Sequence, residues 1–476
     1  MTAWFAALFT LARSEYLDFG YQRFDLGNMV QAVWSTAQGH PLEVTLGTGD
    51  QAVRLASHVD PILVLLAPLW ILAPTPLSLI AFQIGACALG ALPVFWLGRR
   101  HLASDKAAAL LALAYLAYPW LVWTSLDAFH AVTLAIPLFL LGIWFLDSGR
   151  PILFGVCAVL AAATGELMGL PIAFLGLWYW HTHRSRLVGP AVALAGLLWT
   201  VIAIKIIVPA SSGADSQFHA YYTEVGGSPE GVLRTAFVEP RVIAIALFTS
   251  SDLAYWFVLA LPLAGAFLLS PTLAAAALPQ LAANGLSSIK DMTLPTSHHV
   301  AAVIPFLVAA SVYGLARLPK QRHAQAALAV LALCTASSAL VGPWPGAPAK
   351  PREWFHPWWG GAPSEDHIEA LREAIALVPT ESPVSATNKA GSFLSARRQI
   401  FSVPIVSSAE WIVIDELDPW VPIAPRGSRT RWGRPDPALI SAFAARKAQS
   451  PEWRKVFDRS DILVFQRVQR LVQRSG

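Results

Sequence analysis

The sequence predicts an α-helical polytopic membrane protein with a small C-terminal α/β domain, and three observations lead there. Of 476 residues, 55% are hydrophobic and 13% charged, with mean hydropathy +0.51; an ordinary soluble chain is far less apolar. Apolar runs of roughly 17–25 residues recur, the length that spans a bilayer core as helix. Beyond Pro343 the text changes to Pro-, Gly- and Trp-rich sequence and then to short alternating segments. The formal charge of +4 and the pI of 9.0 imply no nucleic-acid partner. In a membrane protein, excess Lys and Arg marks loops held on the cytoplasmic side. Cys87, Cys157 and Cys334 lie inside apolar runs without a CxxC neighbour. They read as buried small hydrophobes, not as a zinc or redox pair.

Taken in order, the first apolar segment, Ala3 to Ala12, is too short to cross at about 1.5 Å per residue. It has no signal-peptide pattern, so it is either a truncated first helix or a short one propped by neighbours. A polar, Gly-rich stretch from Tyr21 to Pro68 follows, and long ordered loops are usually functional. It reads as the first outward-facing loop, bounded at 13–60. Pro61 to Ala73 looks interfacial or half-inserted. Pro76 to Gly98 is a full span ending in Arg99, Arg100 and Lys106, and Ala107 to Val122 and Ala131 to Leu146 are the next two.

From Pro151 to Trp180 about thirty apolar residues are interrupted by Thr164-Gly165-Glu166, too few for two full crossings and too many for one upright helix. Arg150 at one end and Arg184 with Arg186 at the other favour a hairpin of two short helices with Glu166 at its tip; one long tilted helix is the alternative. Further spans are read at Leu187–Pro209, Leu253–Ser270, Pro271–Leu286, Val300–Leu318 and Ala324–Val341. The total is about eleven segments by length. Counting from a cytoplasmic N-terminus puts Arg99, Arg100, Lys106, Arg150, Arg184, Arg186, Arg317, Lys320 and Arg322 inside, as the charge rule requires. The expected organisation is a transmembrane domain over 1–342, a Pro/Trp/Gly-rich linker over 343–363, and a soluble extracytoplasmic domain over 364–476. In the last, helices are expected at Glu365–Val378 and Pro437–Lys447. Strands are expected at Pro383–Thr387, Gln399–Val403 and Trp411–Asp415, with a closing hairpin in VFDRSDILVFQRV.

On the outer face this topology gathers Asp25, His58, Asp60, Asp127, His130, Glu166, His298 and His299. Each has a structural alternative. Asp25 precedes the helix-like LGNMVQAVW and fits an N-cap, Asp60 before Pro61 fits the cap-then-proline pattern, and lone interfacial histidines are commonly scaffold. Glu166 stands apart, because a carboxylate inside an apolar run costs about 2.5–3.5 kcal/mol to insert. Carboxylates and histidines at the mouth of a helical bundle suit transfer from a lipid-linked donor. A carboxylate takes the proton of an acceptor hydroxyl while that oxygen attacks an anomeric carbon. The departing lipid phosphate then needs positive charge, for which Arg54, Lys205, Arg234, Arg241 and Lys290 are candidates. The same residues also suit solute transport, although transporter sites usually lie near the bilayer midplane.

These residues carry a resemblance. FDLGNMVQAVW at 24–34, SHVDPILVLLAPLW at 57–70, DAFHAVTLAIPLFLL at 127–141, GEL at 165–167 and HHVAAVIPFLVAA at 298–310 are similar to the hallmarks of the family of membrane proteins called domain of unknown function 2079. VSATNKAGSFLSARRQIF at 384–401 and AEWIVIDELDPW at 409–420 continue the match. The resemblance implies membership of the GT-C superfamily of polyprenol-phosphate-sugar-dependent glycosyltransferases. It therefore implies multi-pass residence in the cytoplasmic (inner) membrane, a polyprenyl-phosphate-linked sugar donor, and a glycan, lipid or protein acceptor. By position it makes Asp25 the expected base and Glu166 the substrate-facing acid; from the outer-face grouping read above, and not from the resemblance, His58, Asp60, Asp127, His130, His298, His299, Arg54 and Arg234 are expected to bind substrate. The chain departs from the family pattern at Gly165 and Leu167, where a Lys and an acid usually flank the Glu, and at His299, where an aromatic is usual. No organic cofactor is indicated; a divalent metal held by His58, Asp60 and Glu166 is a further expectation. A lipid-linked-saccharide flippase or a non-catalytic envelope scaffold are the alternative functions.

Overall fold

The computed structural model describes all residues except Ala103, 214–216, 348–362, 423–432 and 469–476. Most of the linker expected at 343–363, with Trp354, Trp358 and Trp359, and the loop residue Asp215 lie outside the described residues. The chain divides into two compact units. One comprises Met1–Leu11, Leu55–Ile62 and Ile80–Pro357; the other comprises Ala12–Arg54, Leu63–Leu79 and Trp358–Gly476.

Among the described residues, Pro76–His101, Val188–Ser212 and Lys320–Val341 are long and apolar enough to cross a membrane. Two bent pairs, Asp105–Ala117 with Pro119–Leu126 and Pro240–Leu247 with Ser250–Leu263, raise the number to five. Pro61–Leu72, Ala131–Asp147, Pro151–Ala162 and Ile304–Leu315 are shorter apolar helices. With Thr2–Leu17 and Gly169–His183 these make about eleven apolar helical segments, most of them shorter than a full bilayer crossing. Only 28% of the Val188–Ser212 window and 22% of the Lys320–Val341 window is buried, so most of these apolar side chains face outward, as lipid contact requires.

The first helix runs Thr2–Leu17, beyond the apolar run, because Arg13, Ser14 and Glu15 continue it. The two spans expected over Leu253–Leu286 are instead a chain of short pieces: Ser250–Ala260, Leu261–Leu263, Ala266–Leu269, Pro271–Ala274, Ala275–Ala277 and Leu278–Gly285. Ala264 and Gly265 take left-handed backbone at φ 52° and 65°, and Pro262, Pro271 and Pro279 each remove a helix donor. The apolar content of this stretch is right for spanning; its proline spacing is not.

The 151–183 run forms the hairpin. Pro151–Ala162 and Gly169–His183 are separate helices joined at Glu166–Met168, and His183 at the far end returns to 4.0 Å from Asp147, four residues before the first helix begins. Gly169, Ala173 and Gly176 pack backbone to backbone on Gly189, Ala193 and Gly196 of the next helix; a Cβ at Gly176 would lie 2.6 Å from Gly189 O. Small residues at this spacing let apolar helices approach closely. Buried Asp147 gathers the basic end: Arg100 Nε lies 2.7 Å away, His101 Nε2 3.1 Å, and Tyr313 donates at 2.7 Å. From there back to His130 is about 25 Å along the Ala131–Asp147 helix, at about 1.5 Å per residue. The two polar ends of this unit are thus separated by nearly the thickness of a hydrocarbon core.

The second unit holds a five-stranded sheet. Its strands, after β1 (Glu43–Thr45) and β2 (Gln51–Val53) of a small hairpin, are β3 (Val384–Ala386), β4 (Ile400–Ser402) and β5 (Trp411–Asp415). After the short pair β6 (Trp420–Val421) and β7 (Arg434–Pro435) come β8 (Trp453–Arg459) and β9 (Ile462–Arg467). The sheet order is β4-β3-β5-β9-β8, parallel across the first three and antiparallel at the closing hairpin. Alternation along β5 sends Ile412 and Ile414 to one face and Val413 to the other. The Glu365–Ala376 helix covers the Val413 face through Ala370, Leu371 and Ala374, and the Pro437–Gln449 helix covers the other through Ile440, Phe443 and Ala444.

Candidate functional site

Glu166 sits at the tip of the hairpin. The three residues before it leave the helix, and two of their carbonyls are taken up by neighbours: Trp199 Nε1 donates to Gly165 O at 3.2 Å, and Ile62 N–H to Ala163 O at 3.0 Å. The second bond ties the end of the long polar stretch to the tip. It sets Val59 N–H 3.1 Å from Glu166 Oε2 and His58 Nδ1 3.5 Å from Oε1. A carboxylate among apolar helices is thus met by one backbone donor and one imidazole, and the imidazole side chain is 44% exposed. Phe218 packs on the His58 ring at 4.6 Å. Desolvation, and after it the charge of Glu166, pushes the Tyr222 phenol above its ordinary value. Asp60 is buried and immediately precedes the helical turn Pro61–Leu66, with proline first, the arrangement of a cap.

The other histidines form a second group in the same unit. Asp127, His130 and His298 each place one ligand atom within 4.8 Å of the others. Asp127 Oδ2 accepts from His298 N–H at 2.8 Å and lies 3.0 Å from His298 Nδ1. The His130 and His298 rings stack at 3.5 Å and 14°, and the His299 ring is 4.2 Å from that of His298. Desolvation, then the imidazoles of His298 and His130, holds His299 well below the usual histidine range; His58 contributes in the same direction. The metal set expected from sequence was His58, Asp60 and Glu166. Among the described residues, the set with ligand atoms in mutual reach is Asp127, His130 and His298.

Asp25 and Arg54 belong to the second unit. Asp25 lies within a π-helical turn, Arg23–Gly27, that runs straight into the Asn28–Ala37 helix. It is therefore inside the helical turn and not at the capping position before it; single π turns of this kind are frequent at functional sites. The residues around it fix that turn. Arg23, fully buried, donates to Ser402 Oγ at 2.8 Å, Thr45 O at 2.8 Å and Ile400 O at 2.6 Å. Gln31 Nε2 reaches Thr45 Oγ1, Arg397 O and Arg398 O, each at 3.1 Å. Phe24 packs on Trp420 at 4.7 Å, and a Cβ at Gly27 would overlap Ser395 Oγ. With its guanidinium among neutral acceptors, burial pulls Arg23 down to about 9. Asp25 itself is half-buried.

Of the cations considered for a phosphate, Arg54 is buried, Lys205 pairs with Glu230 at 2.6 Å, and Arg234, Arg241 and Lys290 are exposed. The sequence names Tyr222 only as one residue of a polar loop over Ala210 to Arg241; Phe218, Trp199 and Gln83 at these sites are not singled out by it.

The family model described as "Predicted membrane protein (DUF2079)" matches residues 16–436. No curated protein matches the chain in sequence. Among solved structures, the chain is similar to ArnT from Cupriavidus metallidurans bound to undecaprenyl phosphate. The identity is 13%, the TM-score 0.54, and the match covers 98% of each chain. The likeness shows a shared GT-C-like fold.

Proposed function

We propose, from the premise that this chain belongs to the DUF2079 family of predicted membrane proteins, that it is a multi-pass membrane glycosyltransferase. It would move a sugar from a polyprenyl-phosphate donor to an envelope acceptor with inversion at the anomeric carbon. The observation that carries the reading is Glu166. A carboxylate at the break of an apolar hairpin, met by a partly exposed imidazole, has no purpose in lipid packing and suits recognition of sugar hydroxyls. The fold shared along its length with a protein solved with undecaprenyl phosphate supports the donor class.

In this reading Asp25 is the base. The acceptor O–H gives its proton to the Asp25 carboxylate while the oxygen bonds to the anomeric carbon. The bond from that carbon to the phosphate oxygen breaks, and its electron pair leaves with the polyprenyl phosphate. Glu166, His58 and Asp60 orient the sugar. Arg54 and Arg234 are assigned to the developing phosphate charge, and Asp127, His130, His298 and His299 border the donor. The active face is assigned to the outer side of the cytoplasmic membrane, with the soluble domain over 364–476 extracytoplasmic.

The test uses full-length protein in nanodiscs with a panel of radiolabelled polyprenyl-phosphate sugars and an envelope extract as acceptor. A new glycosidic bond that vanishes in Asp25→Asn and Glu166→Gln is the expected result. Relocation of unchanged lipid in reconstituted vesicles would replace the proposal with transport.

A further inference from the structure

The Asp127–His130–His298 cluster is built more rigidly than a chance meeting of interfacial side chains. Gln83, fully buried, clamps its first segment: Oε1 accepts from His130 N–H at 2.9 Å, while Nε2 donates to Asp127 O at 3.1 Å and Ser125 O at 3.3 Å. The second segment is held by Asn284 Nδ2 on His299 O at 3.1 Å and Thr124 Oγ1 on Ser297 O at 3.3 Å. Both backbones are therefore anchored by groups outside the cluster, in addition to the bond from His298 N–H to Asp127 Oδ2.

The hydrogen bonds also set the tautomer. His130 Nδ1 lies 2.6 Å from Ala128 O, and a carbonyl only accepts, so Nδ1 carries a proton and, in the neutral ring, Nε2 is the nitrogen with the lone pair. An imidazole whose one nitrogen is anchored on a carbonyl while the other presents a lone pair is the usual arrangement of a metal-binding histidine. His298 stacks on it with the planes nearly parallel. Two protonated imidazoles at that distance repel; two neutral ones beside a carboxylate leave a concentration of donor electrons that a cation would balance. The side chains of His298 and Asp127 are 21% and 18% exposed, so the cluster is reachable from solvent.

We propose that Asp127, His130 and His298 bind one divalent transition-metal ion of the zinc class, through two imidazole nitrogens and a carboxylate oxygen. The donor set decides the class: imidazoles favour zinc-like ions, whereas magnesium and calcium prefer oxygen-only surroundings. Three protein ligands leave one position of a tetrahedron for water or substrate. This goes beyond the sugar-transfer reading and does not depend on it, since the ion is measured on resting protein.

The experiment takes tag-free, full-length protein in nanodiscs, strips it with a chelator and titrates it with zinc and, separately, cobalt. One zinc per chain by elemental mass spectrometry, and a visible cobalt absorption band of tetrahedral intensity, are expected. His130→Ala/His298→Ala should lose both, and Asp127→Asn, which removes a direct ligand, should weaken zinc by more than the roughly 10–100-fold typical of losing an outer-shell partner. His58→Ala and Glu166→Gln should keep full stoichiometry. A wild-type chain that takes up no zinc and gives no cobalt band overturns the proposal, whether or not the double variant folds. Zinc lost on Glu166→Gln but retained in the double variant overturns it equally.

Discussion

The two parts of the long polar stretch behave differently. The part up to Arg54 clusters with the C-terminal sheet and is bonded to it: Arg23 N–H donates to Asn388 Oδ1, the Arg23 guanidinium to Ser402 Oγ and Gln31 Nε2 to Arg397 O, each bond spanning more than 360 residues. The part from Leu55 to Ile62 belongs to the helical unit and brings His58 and Val59 N–H to Glu166. One part is a structural rivet that also carries the half-buried Asp25; the other lends its groups to a carboxylate that the bundle holds. The string FDLGNMVQAVW is thus mostly architecture. Its Phe, Gly and Gln positions are explained by Trp420, by Ser395, and by Thr45 Oγ1 with the Arg398 carbonyl, without any reference to chemistry.

That contrast is sharpest at two adjacent positions. Asp25→Asn should lower sugar transfer by about 10²–10⁴-fold, the range for removing a general base, while leaving the unfolding midpoint of the second unit unchanged. Arg23→Ala should do the reverse. It deprives Ser402, Thr45 and Ile400 of a charged donor and opens a cavity, and it should destabilise the second unit by about 3–5 kcal/mol. Urea unfolding with a fluorescent label on the Pro437–Gln449 helix, run beside the transfer assay, separates them. If Asp25→Asn destabilised the unit as much as Arg23→Ala, the acid would belong to the rivet.

In the helical unit the corresponding probe is His58→Ala. Glu166 would keep the Val59 N–H bond but lose its imidazole neighbour. The expected result is a rise in KM for the donor of about tenfold, with kcat changed less, the signature of lost uniform binding. An equal fall in kcat and kcat/KM would instead give His58 a part in the transition state.

The apolar runs, the 151–183 hairpin and the sheet were legible because each depends on local pattern. Span length, arginines at both ends of the hairpin, and alternation in Trp411–Asp415 all survive folding unchanged. What was not legible depends on pairings with no local trace. Nothing near Arg23 announces Ser402, and nothing near Leu253 shows that Ala264 and Gly265 will take positive φ. The same limit applies to the histidines. Their number at one end of the bundle could be read, but not that Asp127 joins His130 and His298 while His58 goes to Glu166.

A pH dependence confined to the second unit is also expected. His367 is buried, with Nδ1 2.9 Å from Ser460 O and Nε2 3.3 Å from Asp415 Oδ2; both nitrogens then donate, and the pairing with Asp415 raises its proton affinity. Asp418 accepts from Lys389 N–H at 2.7 Å, and burial, then the neighbouring charge of Asp415, pushes it up to about 7. Both folded values lie above the unfolded ones, so the native state holds the extra proton. The His367 contribution is full below the ordinary histidine value and is lost as pH rises through its folded value. The Asp418 carboxyl penalises the fold increasingly between about 4 and 7, by at most about 1.4 kcal/mol per pH unit. The second unit should therefore unfold at lower urea at pH 8 than at pH 5. Asp418→Asn keeps an acceptor for Lys389 N–H but removes the titration, so it should flatten the slope below pH 7 and leave the His367 part.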